Sequence, residues 1–485
     1  MENEELNWRR QERERRRQQR LEEDRKLKMK LLIAAAVLIV SAVVIVLLAN
    51  AFGKKDHKNT EKETETTSVT EKATEETTEK KIVGVKDEST VIHIKAVGDL
   101  NVTDSVILAG ARSTGYDFTD CFMDVAPILS DADLTVVNLE GNLCGEPYGT
   151  KTTSAPIELA YALRSAGVDL VQMANSCSVN NGMSGLRSTL SALRNAGLEP
   201  LGAYADEDEF DEMQGYTICE VNGVKVAFVA FTKGVGSRGL PVGSEMCVNL
   251  LYEDYSTTYE TVDKARIKGI LKKVKAEKPD ITIALLHWGS EYNDDHASTQ
   301  ETIVKLMTDN GVDVILGTHP HTLQPIVFDD MAGTLVAYSL GDFFGEADRG
   351  ATNYSIILDI EVTKDANAGI TRVTNFSYTP IYTVREGEAV GNKDRRVVRI
   401  EKALEAYEDN FLDKVTESTA AGMQKAMTRI PERMATELEV TCPECDKPVT
   451  VHVVTNETKN KILVSDTKCR CGYILEAGRN ASDFD

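Results

Sequence analysis

Polar side chains that could do chemistry recur in this sequence at the ends of apolar segments. The candidate set is Asp99, Asn138, Glu140, Asn175, His287, His319 and His321. Carboxylate, imidazole and amide groups are the ligands that divalent metals such as Mn, Fe or Zn take in proteins. Because Pro320 fixes the loop between His319 and His321, and alternate residues of an extended segment point the same way, this pair can reach one metal or two adjacent metals.

A purely structural interpretation of these residue types stays open. A histidine is often a core or surface residue with satisfied hydrogen bonds, and we interpret His93, His296 and His452 in that way. Carboxylates after strands can also be helix caps or turn formers, which applies to Asp99 and Glu140. The chain has seven histidines. Since three of them directly follow predicted strands, the metal site is the favoured interpretation.

The segments that must position these side chains alternate between strand and helix signals. Asn222-Gly223 predicts a two-residue hairpin turn, and Ser298 with Glu301 predicts a capping box. Because ligands of α/β sheets bind at the carboxyl ends of strands, a site is expected there. The fold class is therefore α/β, with apolar strands at 91–97, 134–139, 168–173, 224–231, 281–286, 312–316 and 336–340, and more exposed antiparallel strands at 356–362 and 370–378.

The residues around the candidate set also form five ordered motifs. They are Gly98-Asp99, Asn138-Leu139-Glu140, His287-Trp288-Gly289-x-Glu291-Tyr292, Thr318-His319-Pro320-His321-x-Leu323-Gln324-Pro325 and Ala337-Tyr338-Ser339-Leu340-Gly341. In order and spacing they resemble the CapA family, which is associated with capsule and poly-γ-glutamate synthesis. The resemblance covers about residues 91–384. It implies a layered α/β sandwich with mixed sheets, related to the calcineurin-like metallophosphatases.

The resemblance also implies roles for individual residues. A bound divalent metal polarises a phosphoryl oxygen and lowers the pKa of a bound water, so the implied reaction is metal-assisted hydrolysis of a phosphoester. Lys233 and Arg238 could pair with an anionic substrate or be ordinary surface charges. The implied set is Asp99, Glu140, His287, His319 and His321 for metal binding, Asn138 and Glu291 for substrate contacts, and Asn175 and Cys177 for catalysis.

Two departures from the family's usual pattern touch this chemistry. The family usually reads Ala-Asn-Asn-His at its third motif, whereas this chain has Ser176 and Cys177 in place of the second Asn and the His. The closing Gly-Asn-Phe is Gly341-Asp342-Phe343 here. Three functions are therefore alternatives: an envelope-polymer synthesis protein with a phosphoesterase site, a non-catalytic metal-binding or scaffold module, and an extracytoplasmic phosphatase on small substrates.

The first ninety residues predict how the domain is held at a membrane. Residues 31–52 carry no charge and match the roughly 20 apolar residues that span a bilayer, with a cleaved signal peptide as the alternative. Eleven Lys or Arg in the tail at 1–30 predict a cytoplasmic N-terminus. The Thr/Glu/Lys-rich linker at 53–90 buries too little apolar surface to fold. We expect a single-pass membrane protein with its main domain extracytoplasmic.

The resemblance to the CapA family also implies partners. Envelope-polymer synthesis proteins and an anionic polymer or phosphoester substrate are the partners that it implies. The formal net charge of −22 argues against a nucleic-acid partner, because a strongly acidic protein repels a polyanion.

Four of the nine cysteines form two close pairs near the C-terminus. Cys442-x-x-Cys445 and Cys469-x-Cys471 flank a predicted hairpin at 449–454 and 461–465, after a segment at 385–438 that we predict to be helical. This arrangement resembles a zinc ribbon over 439–478, with a structural zinc held by four thiolates. Disulfides are the alternative, because the module is predicted to be extracytoplasmic.

Overall fold

Two mixed sheets form the body of the protein in the computed structural model, which describes residues 89–236, 239–390, 395–411, 414–455 and 460–484. The predicted tail at 1–30, the predicted membrane span at 31–52 and the linker up to residue 88 lie outside these residues. None of the helices in the described part of the chain combines the length and the apolar character that crossing a bilayer requires.

The strands, in chain order, are β1 (Ser89–Asn101), β2 (Leu134–Glu140), β3 (Leu170–Gln172), β4 (Glu199–Leu201), β5 (Thr217–Val221), β6 (Val224–Thr232), β7 (Ile281–His287), β8 (Val314–Thr318), β9 (Ile326–Asp329), β10 (Thr334–Ala337), β11 (Asp342–Phe344), β12 (Tyr354–Asp365), β13 (Ile370–Val384), β14 (Arg396–Arg399), β15 (Thr436–Thr441), β16 (Pro448–Thr455), β17 (Lys461–Leu463), β18 (Thr467–Lys468) and β19 (Ile474–Leu475). The helices are α1 (Asp104–Gly110), α2 (Thr119–Phe122), α3 (Ala126–Leu129), α4 (Glu158–Ser165), α5 (Gly182–Asn195), α6 (Glu207–Met213), α7 (Lys264–Ala276), α8 (Ser298–Thr308), α9 (Ile400–Glu408) and α10 (Glu417–Met434). A 3-10 helix covers Ala481–Phe484.

The first sheet has the strand order β14-β13-β12-β1-β2-β3-β4, and β11 pairs with β1 outside this path. Strands β1 to β4 run parallel, whereas β12, β13 and β14 are antiparallel to their neighbours. Every residue of β2 is buried. That burial agrees with the apolar residues at four of its seven positions, since a parallel strand is covered on both faces.

The second sheet has the order β5-β6-β7-β8-β10-β9, with β6, β7, β8 and β10 parallel. The predicted hairpin turn is confirmed: Val221 pairs with Val224, and Asn222 and Gly223 have φ angles of 51° and 76°. Two consecutive positive φ angles suit the twist of a hairpin, and Asn-Gly adopts them more easily than other pairs.

Alternate residues of β6 face two different cores, as expected of a pleated strand covered on both sides. Val226 and Phe228 pack into a core shared with the first sheet, whereas Val229 and Phe231 pack against α7 and α8. The first sheet contributes to the shared core through residues such as Ile94, and helices α4 and α5 contribute to it as well. The mixed α/β fold predicted from the sequence is confirmed.

Several predicted details differ from the structure. The strand predicted at 356–362 as more exposed is largely buried, because β12 lies between β13 and β1 in the sheet. The strand predicted at 336–340 ends at Ala337. The capping box predicted at Ser298 and Glu301 is wrong by one residue. Ala297 is the N-cap of α8, and its amide donates to the Gln300 side chain at 2.8 Å.

The segment predicted as helical, 385–438, contains α9 and α10 but also β14 and the start of β15. Strand β14 completes the first sheet, and Met423 and Ile430 of α10 pack into the shared core. Pro431 lies inside α10, which continues to Met434. A proline in a helix lacks the N–H that would donate to the carbonyl four residues earlier, and α10 continues for only three residues beyond Pro431.

A small β module follows α10 almost without a linker, since β15 begins two residues after the helix ends. Its sheet has the order β15-β16-β17, and β18 pairs with β19. The predicted hairpin corresponds to β16 and β17, whereas β15 was not predicted from the sequence. The module has its own core, formed by Val440, Val451, Val453, Leu463, Leu475, Phe484 and two of the cysteines.

Candidate active site

The predicted metal ligands lie at the carboxyl ends of strands from two different sheets. Asp99 lies near the end of β1, and Glu140 is the last residue of β2. His287 is the last residue of β7, and His319 and His321 follow β8. Because the two sheets share one core, these strand ends meet, and residues more than 200 positions apart in sequence come into hydrogen-bonding contact.

Asp99 is fully buried and held on both carboxylate oxygens. The Asn138 amide donates to Oδ1 at 2.6 Å, and the backbone N–H of His319 donates to Oδ2 at 3.0 Å. Glycine is needed at position 98, since a Cβ there would lie 1.7 Å from the carbonyl oxygen of Gly341. Burial raises the pKa of Asp99 to about 6, which means that ionisation is disfavoured unless a cation is near.

Glu140 lies between the two sheets. The Ser176 hydroxyl donates to its Oε2 at 3.0 Å, and His287 Nδ1 lies 3.7 Å from its Oε1. Burial, with the neighbouring Asp99 carboxylate adding to it, raises the pKa of Glu140 to about 8. Two carboxyl groups are therefore buried together in a place that disfavours two negative charges.

His287 and His319 face each other with ring centroids 4.6 Å apart. Burial lowers the pKa of His319 to about 3 and that of His287 well below its usual range, so both rings are neutral. Nε2 of His287 and Nδ1 of His319 are buried and have no hydrogen-bond partner among the described residues. His319 also has a φ of 93°, a strained conformation that persists where the surroundings enforce it.

His321 differs from these two histidines because carboxylates surround it. Its Nδ1 lies 2.8 Å from Asp342 Oδ1 and 3.5 Å from Asp99 Oδ2. Burial alone would lower the pKa of His321, but the charge of Asp342 and its hydrogen bond, together with Glu140 and Asp99, raise it well above the usual range. Asn101 donates to the same oxygen of Asp342 at 2.9 Å.

The side chains converge in three groups whose ligand atoms lie within 4.8 Å of one another. Glu140 belongs to two of them and could bridge two metals. Buried carboxylates with raised pKa values and two imidazole nitrogens without partners are the features that a bound cation would satisfy, so the donor set fits a divalent metal. The groups are Asp99-Glu140-His321, Glu140-His287-His319 and Glu291-His319-His321.

Asn138 and Asn175 lie behind the ligands. The Asn138 amide donates to Asp99, while its Oδ1 accepts a hydrogen bond from Asn175 at 3.0 Å. Asn175 also donates to the carbonyl of Leu139 at 2.7 Å and accepts from the N–H of Cys177. Both side chains are fully buried, and these contacts connect β2 to the loop after β3. The structure thus places the predicted substrate-binding Asn138 and the predicted catalytic Asn175 where they position other residues.

The other predicted residues lie around the ligands. The thiol of Cys177 lies 3.9 Å from Glu140 Oε2, and burial and that carboxylate raise its pKa far above the usual range. Glu291 is exposed beside the two histidines after β8. Lys233 donates to the carbonyl of Gly289 at 2.7 Å, and burial lowers its pKa. Arg238 lies outside the described residues.

Sequence reasoning missed Asp342 and Asn101 as neighbours of the ligands. Asp342 follows Gly341 just as Asp99 follows Gly98, and the two aspartates pair across β1 and β11. That repeated Gly-Asp after an apolar segment was the available signal. Asn101 is two residues after Asp99. Because alternate residues of a strand share a face, Asn101 could have been predicted to lie beside Asp99.

The four cysteines of the C-terminal module come together as predicted. Sγ of Cys442 lies 3.6 Å from Sγ of Cys471, and the same distance separates Cys445 and Cys469. All four sulfur atoms lie within 4.8 Å of one another. A tetrahedral zinc with Zn–S bonds of about 2.3 Å requires sulfur atoms about 3.8 Å apart, so the spacing fits a zinc site.

The chain is similar in sequence to two capsule proteins. It is 27% identical over 266 residues to the capsule biosynthesis protein CapA of Bacillus anthracis, covering 52% of this chain and 60% of that protein. It is 26% identical to the PGA biosynthesis protein CapA of Bacillus subtilis (strain 168), covering 54% of this chain and 64% of that protein. The similarity thus spans less than two thirds of either relative's length.

Solved structures with a similar fold include the calcineurin-like phosphoesterase YfkN from Bacillus subtilis, with 15% identity and a TM-score of 0.39 over 71% of this chain and 99% of that chain. A novel phosphatase from Mycoplasma pneumoniae has 15% identity and a TM-score of 0.37, covering 60% of this chain and 94% of that chain. The pattern described as bacterial capsule synthesis protein PGA_cap matches residues 93–347, which is more than half of the sequence. The chain therefore belongs to the PGA_cap family of bacterial capsule synthesis proteins.

Proposed function

We propose that this chain is a membrane-anchored protein that acts in the synthesis of a capsule or poly-γ-glutamate type envelope polymer, and that its α/β domain is a metal-dependent phosphoesterase. The observation that carries the proposal is the pair of ligand groups that share Glu140, with two buried imidazole nitrogens lacking partners. The proposed role in polymer synthesis is supported by the family, since relatives are named for capsule and PGA biosynthesis. The substrate would be an anionic polymer or a phosphoester.

Two groups of side chains would hold the metal ions. Asp99, Glu140 and His321 would hold one divalent ion, and Glu140, His287 and His319 a second, with Mn, Fe or Zn as candidates. A bound ion supplies Lewis-acid chemistry and a water of lowered pKa. The neutral imidazoles offer their lone pairs without first losing a proton.

Neighbouring side chains would keep these ligands in place. Asn138 fixes the orientation of the Asp99 carboxylate, and Ser176 fixes that of Glu140. Lys233, held by the carbonyl of Gly289, lies close enough to affect both neutral histidines, so it provides positive charge beside the site. An anionic substrate would be attracted by that charge.

A second candidate function is a metal-binding scaffold without catalysis, and Cys177 favours it. The family usually has a histidine at this position, which could exchange a proton at neutral pH. The raised pKa of the Cys177 thiol keeps its proton bound, so this residue is a poor general acid or base.

Metal content and turnover, measured on the full-length chain in detergent, separate these functions. We expect the α/β domain to bind divalent metal, in addition to any metal held by the four C-terminal cysteines, and to hydrolyse a generic phosphodiester or monoester. Both properties of the domain should be lost on His319→Ala with His321→Ala. The control is His296→Ala with His452→Ala, two histidines outside the ligand groups. Metal in the α/β domain without turnover would support the scaffold, and a wild-type chain whose α/β domain binds no Mn, Fe or Zn would disprove the proposal. Turnover without any effect of gene loss on envelope polymer would indicate a phosphatase for small substrates.

The location is tested separately. The uncharged segment at 31–52 and the basic residues before it support a cytoplasmic N-terminus and an extracytoplasmic domain. A topology reporter fused after the last residue should report an extracytoplasmic environment. A cytoplasmic signal from this fusion would contradict the orientation and leave the metal site unaffected.

We also propose that Cys442, Cys445, Cys469 and Cys471 hold a structural zinc. The sulfur spacing supports it, and the module's own core is small, so a metal would supply much of its stability. Purified full-length protein should contain one zinc that survives His319→Ala with His321→Ala. Paired disulfides found by mass spectrometry under native conditions would contradict this site.

A further inference from the structure

The ring of His321 is fixed on two sides. On one side, Oδ1 of Asp342 accepts a hydrogen bond from Nδ1 of His321 at 2.8 Å. On the other, the ring of Tyr292 stacks on the His321 ring with centroids 5.4 Å apart. The guanidinium of Arg349 lies 4.1 Å from the centroid of the Tyr292 ring. The backbone of His321 has a φ of 60°, a left-handed conformation that is uncommon for residues other than glycine.

Asp342 is itself held in place. It opens β11, which pairs in parallel with β1 so that Asp342 is the register partner of Asp99. The Asn101 amide donates to the same Oδ1 that faces His321, at 2.9 Å. The side chain is 7% exposed. A carboxylate supported by a neighbouring strand and an amide has little freedom to follow the histidine, and therefore imposes the position of the ring.

Asp342 belongs to none of the three groups of converging ligands, although it is close to one of their members. Its contacts go to His321 and Asn101, not to Glu140 or the other two histidines of the site. This is the arrangement of a carboxylate behind a metal-binding histidine. Such a partner keeps the proton on one ring nitrogen, leaves the lone pair on the other and orients the ring.

We propose that Asp342 is a positioning residue, whose carboxylate holds His321 with its proton on Nδ1 and presents Nε2 to a divalent cation. The proposal rests on the proposed metal site and adds a residue to it. Partners of this kind typically change metal affinity by about 10- to 100-fold when removed. An Asn at position 342 retains an acceptor oxygen, whereas an Ala does not, so the two substitutions should differ.

The test measures the affinity for Mn²⁺ and the absorption spectrum with Co²⁺, using the full-length chain in detergent with zinc already bound in the cysteine module. We expect Asp342→Ala to weaken Mn²⁺ binding about 10- to 100-fold and to change the Co²⁺ spectrum, with Asp342→Asn in between. The matched control is Glu301→Gln, because Glu301 and His296 form a histidine–carboxylate pair at 3.1 Å outside the ligand groups. This control should bind both ions like the wild type.

The nitrogen chemical shifts of His321 in the protein loaded with Zn²⁺ give a second measurement. They should show the Nδ1–H form in the wild type and in Asp342→Asn, even if Asp342→Ala folds poorly. Wild-type affinity in all three variants would overturn the role of Asp342 and leave the proposed metal site standing. A wild-type chain that binds neither Mn²⁺ nor Co²⁺ in this domain would overturn both.

Discussion

The two candidate metal sites of this protein are assembled in opposite ways. The site in the α/β domain draws oxygen and nitrogen ligands from strand ends of two sheets, over residues 99–321. The cysteine module gathers four sulfur atoms from residues 442–471 of one small β unit. The first site depends on how a large core packs, whereas the second depends on the conformation of two short turns. The comparison predicts that the module needs its metal to fold and the domain does not.

The largest expected effect is on the module. Cys442→Ser with Cys445→Ser should abolish zinc binding and unfold residues after α10, because zinc binding of about 10–16 kcal/mol is folding energy in small zinc modules. Zinc content and limited proteolysis measure the loss. Cys219→Ser, in β5 and far from the module in sequence, is the control. A module that stays protease-resistant without zinc would break the contrast between the sites.

The next largest effect should come from the shared ligand. Glu140→Ala removes an oxygen from both ligand groups that contain it, so binding of Mn²⁺ at either position should fall by at least about 100-fold while the domain stays folded. Glu301→Ala is the control, since Glu301 is exposed and belongs to none of the ligand groups. Titration calorimetry gives the affinities. If Glu140→Ala loses only one of the two ions, Glu140 does not bind both of them in the wild type.

A smaller effect concerns pH. In the metal-free protein the pKa values of Asp99, Glu140 and His321 are all raised, so the folded state binds more protons than the unfolded state. Their contribution to stability is therefore full at low pH and lost as the pH rises through about 6 to 8. His287 and His319 have lowered pKa values, so their opposite contribution ends near pH 6.5.

Melting temperatures of the chelated chain between pH 6.5 and 8.5 check this sign. We expect the wild type to melt at lower temperature as the pH rises, and Glu140→Gln to lose part of that slope. Added Mn²⁺ should reverse the trend, because the ion binds the ionised carboxylates. A melting temperature that rises with pH in the chelated wild type would show that the carboxyl groups do not titrate as the geometry indicates.

The smallest effect should come from Ser176→Ala, which removes one hydrogen bond to Glu140. A net loss of about 0.5–1.5 kcal/mol, or roughly 2- to 13-fold in Mn²⁺ affinity, is expected for the net contribution of one hydrogen bond. Ser184→Ala is the matched control, because Ser184 is exposed on α5. Equal affinities for both variants would mean that the loop after β3 does not support the shared ligand.

Much of this arrangement was predictable from the sequence because its signals are local. The Asn222-Gly223 turn, the strands that end at Glu140 and His287, and the hairpin between the cysteine pairs each follow from a short run of residue types. Buried parallel strands read as continuous apolar runs, and the polar residue that follows each one stands out. Capping was predicted less well, since Ser298 and Ala297 are adjacent and only the backbone angles separate them.

The sequence by itself determined the α/β class, the candidate ligands and the four clustered cysteines, because each of these depends on residue type and short spacing. Only the tertiary structure decided which candidates meet. It placed Asn138 and Asn175 behind Asp99, made Glu140 common to two ligand groups and brought Asp342 to His321 through the pairing of β11 with β1. The contacts of Glu140 and Asp342 with the histidines join elements of different sheets, and the packing of a shared core, rather than any local pattern, fixes the distance between them.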